Sequence, residues 1–401
     1  MTKENKIVFG KLDQMRNDKI LKENRIPIGF IGGGDNSFIG YTHRLAARFD
    51  NRFICVAGVF SRDQSKSKEF AQSLGIDPSR AYSNYKEMAE LEKNRKDGIH
   101  AVGIMTPSGD HCDVASEFIK NNVHVICDKP LTATLDDAYR LQKLVKEKNI
   151  IFALTHNYSA YPMLREAKKH VENGKLGEIK LINVEYPQGY TVGLKKHDEK
   201  SVLKWRLDSS QVGPSMILAE IGTHAHHLLR YVTNLEISEI SAEVQSLSSE
   251  ISVDDNAFVL LRFLNNARGM IWVSSAATGG ENGLRIRVFG TKGAIDWLQD
   301  EPNSMKYTPL DLPTQILTRG SSYLSDHSIQ SSRLAAGHPE GFFEAFSNIY
   351  TEFAEAIIAK KNNNNFTYSF PTIDDGVKGI EFIFAAKNSS LQNARWIKIN
   401  N

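Results

Sequence analysis

Short apolar runs alternate with amphipathic stretches along the first 155 residues. The apolar runs have the length of buried strands and span residues 26–31, 53–60, 101–105, 123–127 and 150–154. Helical patterns separate them, at 64–74, 85–91, 112–121 and 135–147, and another follows the first run. This alternation predicts βαβ units and a parallel sheet, whose strands all end at one edge, where ligands of such sheets bind.

The pattern changes after about residue 155. Helical stretches at 161–172 and 215–232 enclose an alternating stretch at 179–186. Strand patterns joined by short turns then follow, at 237–245, 256–263, 270–276, 284–289 and 294–298, and predict an antiparallel meander with helices on one side. Residues 300–335 have an irregular pattern, and helices are predicted at 340–360 and 374–389.

A glycine-rich turn follows the first apolar run and opens a helical pattern. Gly32 and Gly34 would let a pyrophosphate approach the backbone, and the helix start supplies free N–H groups. With these two glycines, the cofactor contacts predicted here are Asn36, Phe38 and Ile39. The third glycine, Gly40, comes six residues after Gly34 rather than three, so a turn without a ligand is the alternative. The predicted fold is α/β, with an N-terminal doubly wound Rossmann sheet and a C-terminal α+β domain whose open sheet is mainly antiparallel.

The end of the second predicted strand bears on which cofactor is used. Enzymes that bind NAD often place an acid there to hold the ribose hydroxyls. Here Ser61 and Arg62 occupy that place, and the first acid is Asp63. Ser61 and Arg62 could accept a 2′-phosphate, so the sequence leaves NAD and NADP both open.

Length, charge and cysteine content set wider bounds. A chain of 401 residues suggests two domains, and a net charge of +2 without a basic block gives no footprint for nucleic acid. Cys55, Cys112 and Cys127 are far apart and fit buried thiols in a reducing compartment. No apolar run has the roughly 20 residues of a membrane span, and the N-terminus lacks the apolar core of a signal peptide. We therefore expect a cytoplasmic protein that does not bind membranes.

Lys129 lies in the motif Cys-Asp-Lys-Pro that follows the fourth predicted strand. Pro130 stiffens this loop at the ligand-binding edge of the sheet. An ammonium held there could donate to a substrate oxygen or lower the pKa of a neighbouring group. The alternative is a solvated loop lysine.

Glu220 and His224 share one face of the predicted helix at 215–232, next to its apolar stripe. A half-buried histidine beside a carboxylate is a suitable general base. A surface helix with a weak Glu–His pair is one alternative. A metal site built from His224, His226 and His227 is another, but positions 224 and 226 point to different faces, and we expect no metal.

These motifs together resemble the Gfo/Idh/MocA oxidoreductases from residue 26 onward. The resemblance rests on the glycine turn, on Thr106-Pro107 with His111, on Asp128-Lys129-Pro130 in place of Glu-Lys-Pro, and on Glu220 and His224 in place of Asp-x-x-x-His. Further stretches are similar to the branch that contains levoglucosan dehydrogenase, among them residues 157–163, 185–190, 205–206 and 337–341.

The resemblance implies a hydride transfer between a ring carbinol of a sugar, anhydrosugar, glycoside or inositol and NAD or NADP. His224 would take the hydroxyl proton, Lys129 would bind the reacting oxygen, and Glu220 would be the partner carboxylate. Further cofactor contacts would come from Thr106, Pro107, His111 and Asp128. The substrate pocket would be built from Tyr158, Gln188, Tyr190, Trp205, Arg206 and His338. Core or hinge roles for Tyr158, Trp205 and Arg206, and a structural turn at His338, stay open.

The family also implies a layout and two other functions. Residues 1–25 would be an extension, 26–155 the nucleotide domain, 156–370 the substrate and oligomerisation domain, and 371–401 a helix that returns to the nucleotide domain. A homodimer or homotetramer would form through the second sheet. The alternative functions are an NAD-dependent glycosidase that acts by redox-assisted elimination and a non-catalytic nucleotide-binding sensor.

Overall fold

The N-terminal sheet has five parallel strands, as the alternating pattern predicts. A computed structural model describes residues 25–248 and 250–399, so the predicted extension lies outside the described residues except for Arg25. The strands are β1 Ile26–Gly32, β2 Phe53–Val59, β3 Ala101–Met105, β4 His124–Cys127 and β5 Phe152–Leu154, in the spatial order β2-β1-β3-β4-β5. The order reverses beside β1, which places the glycine turn at the switch point where ligands of such sheets bind.

Helices connect these strands and begin at side-chain caps. They are α1 Phe38–Phe49, α2 Gln64–Ser73, α3 Tyr85–Lys93, α4 His111–Lys120 and α5 Leu135–Glu147. Ser37, Asp63, Asn84 and Thr134 each accept a hydrogen bond from a backbone N–H in the first turn of α1, α2, α3 and α5 respectively. These residues satisfy donors that the start of a helix leaves free, which explains why the helices begin there.

The second sheet is mixed rather than a simple meander. Its strands are β6 Ile179–Pro187, β7 Ile237–Gln245, β8 Asn256–Phe263, β9 Arg268–Ser274, β10 Arg285–Gly290, β11 Gly293–Leu298, β12 Ser304–Pro309, β13 Gln315–Thr318 and β14 Ile397–Lys398. Their order is β13-β12-β11-β10-β6-β9-β8-β7-β14. The first strand, β6, lies between β10 and β9 and is parallel to β9, while the other pairs are antiparallel. The expectation of a mainly antiparallel sheet is confirmed.

The prediction that residues 300–335 are irregular is wrong. β12 and β13 form a hairpin that extends the sheet from β11, and α10 Asp326–Gln330 follows. Met305 is buried, but most of β13 is exposed. An edge hairpin needs little apolar surface because its neighbour satisfies its backbone, so polar residues interrupt the apolar pattern of both strands.

The remaining helices pack between and beside the sheets. They are α6 Pro162–Glu172, α7 Lys196–Val202, α8 Ser209–Val212, α9 Thr223–Thr233, α11 Phe342–Lys361 and α12 Ile373–Leu391. The predicted helix at 215–232 is present but contains a π-helical turn, Leu218–Gly222, before α9.

The two C-terminal helices contact the nucleotide sheet. In α11, Tyr350 and Phe353 pack on Phe53 of β2, with ring centroids 5.8 and 5.9 Å apart. Before α12, the Pro371 carbonyl accepts a hydrogen bond of 2.8 Å from the backbone N–H of Leu154 in β5. α12 then lies against both α5 and β7, so it joins the two sheets.

The structure also shows the state of the three cysteines and the apolar character of the helices. Cys55, Cys112 and Cys127 are free thiols, the last two buried. Within residues 25–248 and 250–399, no helix combines the length and the apolar character that crossing a bilayer requires.

Candidate active site

The glycine turn after β1 is packed so closely that side chains are excluded. A Cβ on Gly34 would lie 2.3 Å from the Phe60 carbonyl oxygen, and one on Gly40 would lie 2.1 Å from the Gly33 carbonyl oxygen. Gly32 has φ +83°, which favours glycine. The turn is therefore a bare backbone cradle at the start of α1, and its residues fit a pyrophosphate.

The other predicted contacts around this turn lie near its surface. Asn36 has φ +60° and bonds only its neighbour Asp35. Phe38 is 66% exposed, and Ile39 is partly buried against the core. The Phe38 ring lies 6.0 Å from the Phe342 ring, centroid to centroid, and its exposed side borders the turn.

The end of β2 presents a hydroxyl and a guanidinium. The Ser61 hydroxyl accepts a hydrogen bond from the Asp63 backbone N–H, and the exposed Arg62 guanidinium lies 3.7 Å from the Asp110 carboxylate. The Asp63 carboxylate caps α2 by accepting from Ser65 and Lys66 backbone N–H groups. The carboxylate of Asp63, the first acidic residue after β2, is therefore used to cap α2.

His111 holds two loops of the sheet edge together. Its Nδ1 lies 3.0 Å from the Pro130 carbonyl oxygen, and its Nε2 lies 2.8 Å from the Thr106 carbonyl oxygen. The ring is buried, and burial lowers its pKa. Both ring nitrogens thus face loop carbonyls, and the single N–H of the neutral ring donates to one of them, so His111 packs between the Thr106–Pro107 loop and the Lys129 loop. The buried Thr106 hydroxyl has no partner among the described residues.

Asp128 is a buried anion beneath the Lys129 loop. Its carboxylate accepts a hydrogen bond of 2.8 Å from the Thr155 hydroxyl and lies 3.9 Å from Nε2 of His43. Burial opposes ionisation, but His43, Lys129 and Thr155 outweigh it and lower the pKa of Asp128 to about 2. The charge beneath Lys129 is therefore constant at neutral pH.

Lys129 reaches across to the π-helical turn of the second domain. The peptide bond between Lys129 and Pro130 is cis. The Lys129 ammonium donates to the backbone carbonyl of Glu220, and its Nζ lies 3.9 Å from Oε2 of the same residue. The predicted lysine and carboxylate, from opposite domains, are therefore neighbours.

Glu220 is also held by Arg206. Arg206 donates from Nε and one terminal nitrogen to the two carboxylate oxygens, at 3.1 and 2.8 Å. Burial alone would raise the pKa of Glu220, but Lys129 and Arg206 lower it to about 2. Such a forked pair fixes the orientation of both side chains.

His224 lies one turn beyond Glu220 and is 7% exposed. Its ring meets the Tyr158 ring edge-on, with centroids 4.8 Å apart. Burial, then the positive charge of Lys129, lowers the pKa of His224 well below its usual value. The imidazole is therefore neutral at physiological pH, the form that can accept a proton.

Two histidines lie behind His224: His156, which the sequence reasoning missed, and His227, which it named only in the metal alternative. His156 lies with its Nδ1 3.4 Å from Nδ1 of His224, and His227 stacks on the His156 ring with centroids 4.7 Å apart. His156 comes directly after Thr155 at the end of β5. Its place at the same edge as the other strand ends was the available signal.

The second domain reaches the sheet edge through residues 204–213. The Ser108 hydroxyl, at the end of β3, donates to the Gln211 carbonyl at 2.6 Å. Trp205 is partly buried, and the Arg206 guanidinium lies 4.9 Å from its ring centroid. This segment therefore brings Trp205 and Arg206 beside Glu220.

Other predicted substrate residues differ in how they are placed. Tyr158 is buried, and its hydroxyl lies 2.5 Å from the Tyr186 hydroxyl. Tyr190 is 39% exposed, and burial, then the Glu220 charge, raises the pKa of its hydroxyl. Gln188 donates to the side chain of Asn282 at 2.5 Å, at the end of β6.

His338 stands apart from this group. It is exposed, and its carbonyl accepts from Arg319, which ties down the turn. In the described part of the chain, no hydrogen bond, ion pair or ring contact joins His338 to Lys129 or His224.

Among the described residues, no group of three or more His, Cys, Asp or Glu side chains could hold a metal ion.

The comparisons with known proteins agree with this arrangement. Residues 26–156 match the oxidoreductase family with an NAD-binding Rossmann fold, and residues 164–296 match the GFO/IDH/MocA C-terminal domain. The uncharacterized oxidoreductase YfiI of Bacillus subtilis is 36% identical over 92% of this chain and 95% of its own. Levoglucosan dehydrogenase of Pseudarthrobacter phenanthrenivorans is 28% identical over 67% of this chain and 72% of its own.

A solved structure extends the likeness to nearly the whole chain. An inositol dehydrogenase homolog from Azotobacter vinelandii, in complex with NADH and myo-inositol, is 32% identical, with a TM-score of 0.86 over 94% of this chain and 98% of its own. The likeness therefore covers both domains of the chain. The chain is therefore an NAD-binding oxidoreductase and belongs to the Gfo/Idh/MocA family.

Proposed function

We propose that the protein is an NAD(P)-dependent dehydrogenase that oxidises a ring carbinol of a sugar, anhydrosugar, glycoside or inositol to a ketone. The observation that carries the proposal is the meeting of Lys129 with the turn that leads into His224, at the sheet edge that bears the glycine cradle. A cation and a neutral imidazole beside one cleft can bind an alcohol oxygen and remove its proton.

Each group at the site has a distinct task. His224 accepts the hydroxyl proton because burial and Lys129 keep its imidazole neutral. Lys129 donates to the reacting oxygen and stabilises the negative charge that develops there. Glu220 stays ionised between Lys129 and Arg206 and fixes both cations. When bound, the nicotinamide supplies the hydride acceptor.

The cofactor would lie along the switch point of the first sheet. Gly32, Gly34 and the start of α1 would hold the pyrophosphate, with Asn36, Phe38 and Ile39 around it. Ser61 and Arg62 would face the adenine ribose, and the Thr106–Pro107 loop would lie near the nicotinamide. The unpartnered Thr106 hydroxyl at this edge supports a polar ligand there.

The proposed substrate is a ring with several hydroxyl groups. Tyr158, Tyr190 and Trp205 offer aromatic faces for its apolar side, and Arg206 offers donors for its hydroxyls. Myo-inositol in the Azotobacter complex and the name of the Pseudarthrobacter relative support this class.

Assembly through the second sheet is part of the proposal. The open face of this sheet exposes Leu181, Phe258 and Leu260, which are 53%, 43% and 49% exposed. An apolar surface of this kind favours a partner. Light scattering should therefore show a homodimer or homotetramer, and a monomer at working concentration would refute this part.

The function is tested by a panel of sugars, anhydrosugars, glycosides and inositols, assayed with NAD⁺ and NADP⁺ separately. Reduction of one cofactor by at least one ring alcohol, abolished in His224→Asn protein that still binds the cofactor, is the expected result. Cofactor binding without reduction by any member would contradict it. Release of an aglycone with no net reduction would instead favour the redox-assisted glycosidase.

A further inference from the structure

His156 is the side chain that lies directly behind His224. The two rings meet edge-on, with centroids 5.2 Å apart and an interplanar angle of 84°. Their Nδ1 atoms are 3.4 Å apart, within reach of one hydrogen bond. Nε2 of His224 has no hydrogen-bond partner within residues 25–248 and 250–399.

Only one proton fits between two facing Nδ1 atoms. If His156 donates it, the proton of neutral His224 sits on Nε2, and that atom cannot accept from a substrate. If His224 donates it, Nε2 carries a lone pair and can accept. The direction of this one hydrogen bond therefore decides whether His224 is ready to act as a base.

We infer that His156 is a positioning residue whose Nδ1 accepts a hydrogen bond from the Nδ1–H group of His224. This hydrogen bond leaves Nε2 of His224 free to take the proton of the substrate hydroxyl. The inference rests on the proposed function. When the alcohol is oxidised, its O–H bond breaks and the proton forms the Nε2–H bond of His224. A hydride leaves the carbon that bears this hydroxyl and passes to NAD⁺ or NADP⁺. The Nδ1–H bond of His224 stays intact and keeps pointing at His156.

The surroundings of His156 keep its ring fixed and neutral. The ring is buried and rests flat on the His227 ring, with an interplanar angle of 9°. Its backbone is held because the His156 carbonyl accepts from the Ser159 hydroxyl at 3.0 Å. Burial, then the neighbouring His227 and the positive charge of Lys129, keeps the pKa of His156 well below its usual value, although Asp375 and Asp128 act in the opposite sense.

A neutral acceptor differs from the carboxylate that orients histidine in many hydrolases. An imidazole orients the ring without adding the negative charge that would stabilise an imidazolium. Among the described residues, Glu220 is held by Arg206 instead of bonding His224. In this protein the orienting role therefore falls to a residue from β5 of the nucleotide sheet.

The kinetic test compares His156→Leu with His156→Asn, because an amide oxygen can still accept from Nδ1. We expect kcat of His156→Leu to fall by about 100-fold, in the range of a lost general base, with KM and cofactor Kd changed by less than about two-fold. His156→Asn should recover about ten-fold of that loss. His226→Gln, on the same helix but stacked on Phe382, is the control and should keep wild-type turnover.

A second test needs no substrate. Nitrogen-15 spectra of histidine-labelled holoprotein should show His224 protonated at Nδ1 and unprotonated at Nε2, and the His156→Leu variant should lose that preference. His224 found protonated at Nε2 would overturn the inference. So would an active wild type whose His156→Leu variant turns over at the same rate.

The two proposals fail in different ways. A wild type that shows the predicted His224 tautomer but oxidises no ring alcohol would refute the proposed function and leave the hydrogen bond standing. An active wild type with the opposite tautomer would refute only the role of His156. If His156→Leu does not fold, His156→Asn and the spectra of the wild type still decide.

Discussion

Glu220 shows how one residue can serve a site without moving a proton. Arg206 donates hydrogen bonds to both oxygens of its carboxylate, and the Lys129 ammonium donates to its backbone carbonyl. A pKa of about 2 keeps the carboxylate ionised. A carboxylate so firmly ionised is a poor acid and a weak base at neutral pH. Its contribution is to place two cations at the edge of the cleft.

Replacing Glu220 by Gln should therefore impair turnover through Lys129. The amide keeps the shape but loses the charge, so we expect kcat/KM to fall by about 10- to 100-fold, or about 1.4 to 3 kcal/mol of transition-state stabilisation. Cofactor affinity, measured by nicotinamide fluorescence, should be unchanged. Glu355→Gln, which loses a partner of Arg52 far from the site, is the control. Equal kinetics for the two variants would contradict this role.

Because Gly40 has no side chain, the glycine turn after β1 can pack directly against the first turn of α1. A Cβ at this position would collide with the Gly33 backbone, which has no flexible end to move aside. Gly40→Ala should therefore weaken cofactor binding by more than about ten-fold, because the cradle must open. Gly283→Ala, whose added carbon would make ordinary contact with Pro187, is the control. Titration calorimetry with each protein measures the difference, and equal affinities would refute the cradle.

At the scale of elements, hydrophobic periodicity predicts the helices, strands and turns that depend on residues close together in the sequence. The strand and helix alternation before residue 155 and the turn before α1 follow from local patterns. The π turn Leu218–Gly222 does not, because its residues have the same apolar spacing as an α-helix. It is the turn that carries Glu220, so the exact relation of Glu220 to His224 needed the structure.

Long-range relations were also beyond the sequence. The apolar stripe of α11 indicates burial but not against which sheet. His111 and His156 illustrate the same limit within the site. The motif around Thr106 identified His111 as a cofactor contact, while both its nitrogens face loop carbonyls in the structure. His156 lies in none of the motifs; its place after β5 puts it at the ligand edge, and its contact with His224 indicates its role.

The packing of α11 makes a prediction about folding. Tyr350 and Phe353 cover Phe53, and the Tyr350 hydroxyl lies 2.7 Å from Nδ1 of buried His43. A fragment that ends at residue 156 would expose this face and remove the Tyr350 hydroxyl from Nδ1 of His43. We expect it to lack a cooperative unfolding transition, followed by circular dichroism in urea, in contrast to the full chain. A cooperative transition would show that the sheet does not need α11.

At the scale of the whole molecule, the buried histidines link stability to pH. Five buried histidines have pKa values lowered first by burial, namely His111, His156, His224, His226 and His227. In the unfolded chain, each would take up a proton below about pH 6.5. The unfolded state then binds more protons than the folded state, so stability falls as pH falls.

The expected slope is steep. A histidine that stays neutral in the folded protein contributes up to about 1.4 kcal/mol per pH unit below pH 6.5. Several such groups together are a large fraction of the roughly 5 to 15 kcal/mol that domains typically have, so the protein should be markedly less stable at pH 5 than at pH 7. His226→Gln should make the slope shallower. Urea unfolding at a series of pH values measures this, and a flat profile from pH 7 to pH 5 would contradict it.

The account as a whole rests on Lys129 and His224 acting on the same hydroxyl group. A double-mutant cycle with Lys129→Met, His224→Asn and the combined variant tests this directly, using kcat/KM for the best alcohol. Two groups that serve one proton transfer act as a unit, so the double variant should be about as slow as the slower single variant. Losses that multiply would mean that the two groups act independently and would contradict the central claim.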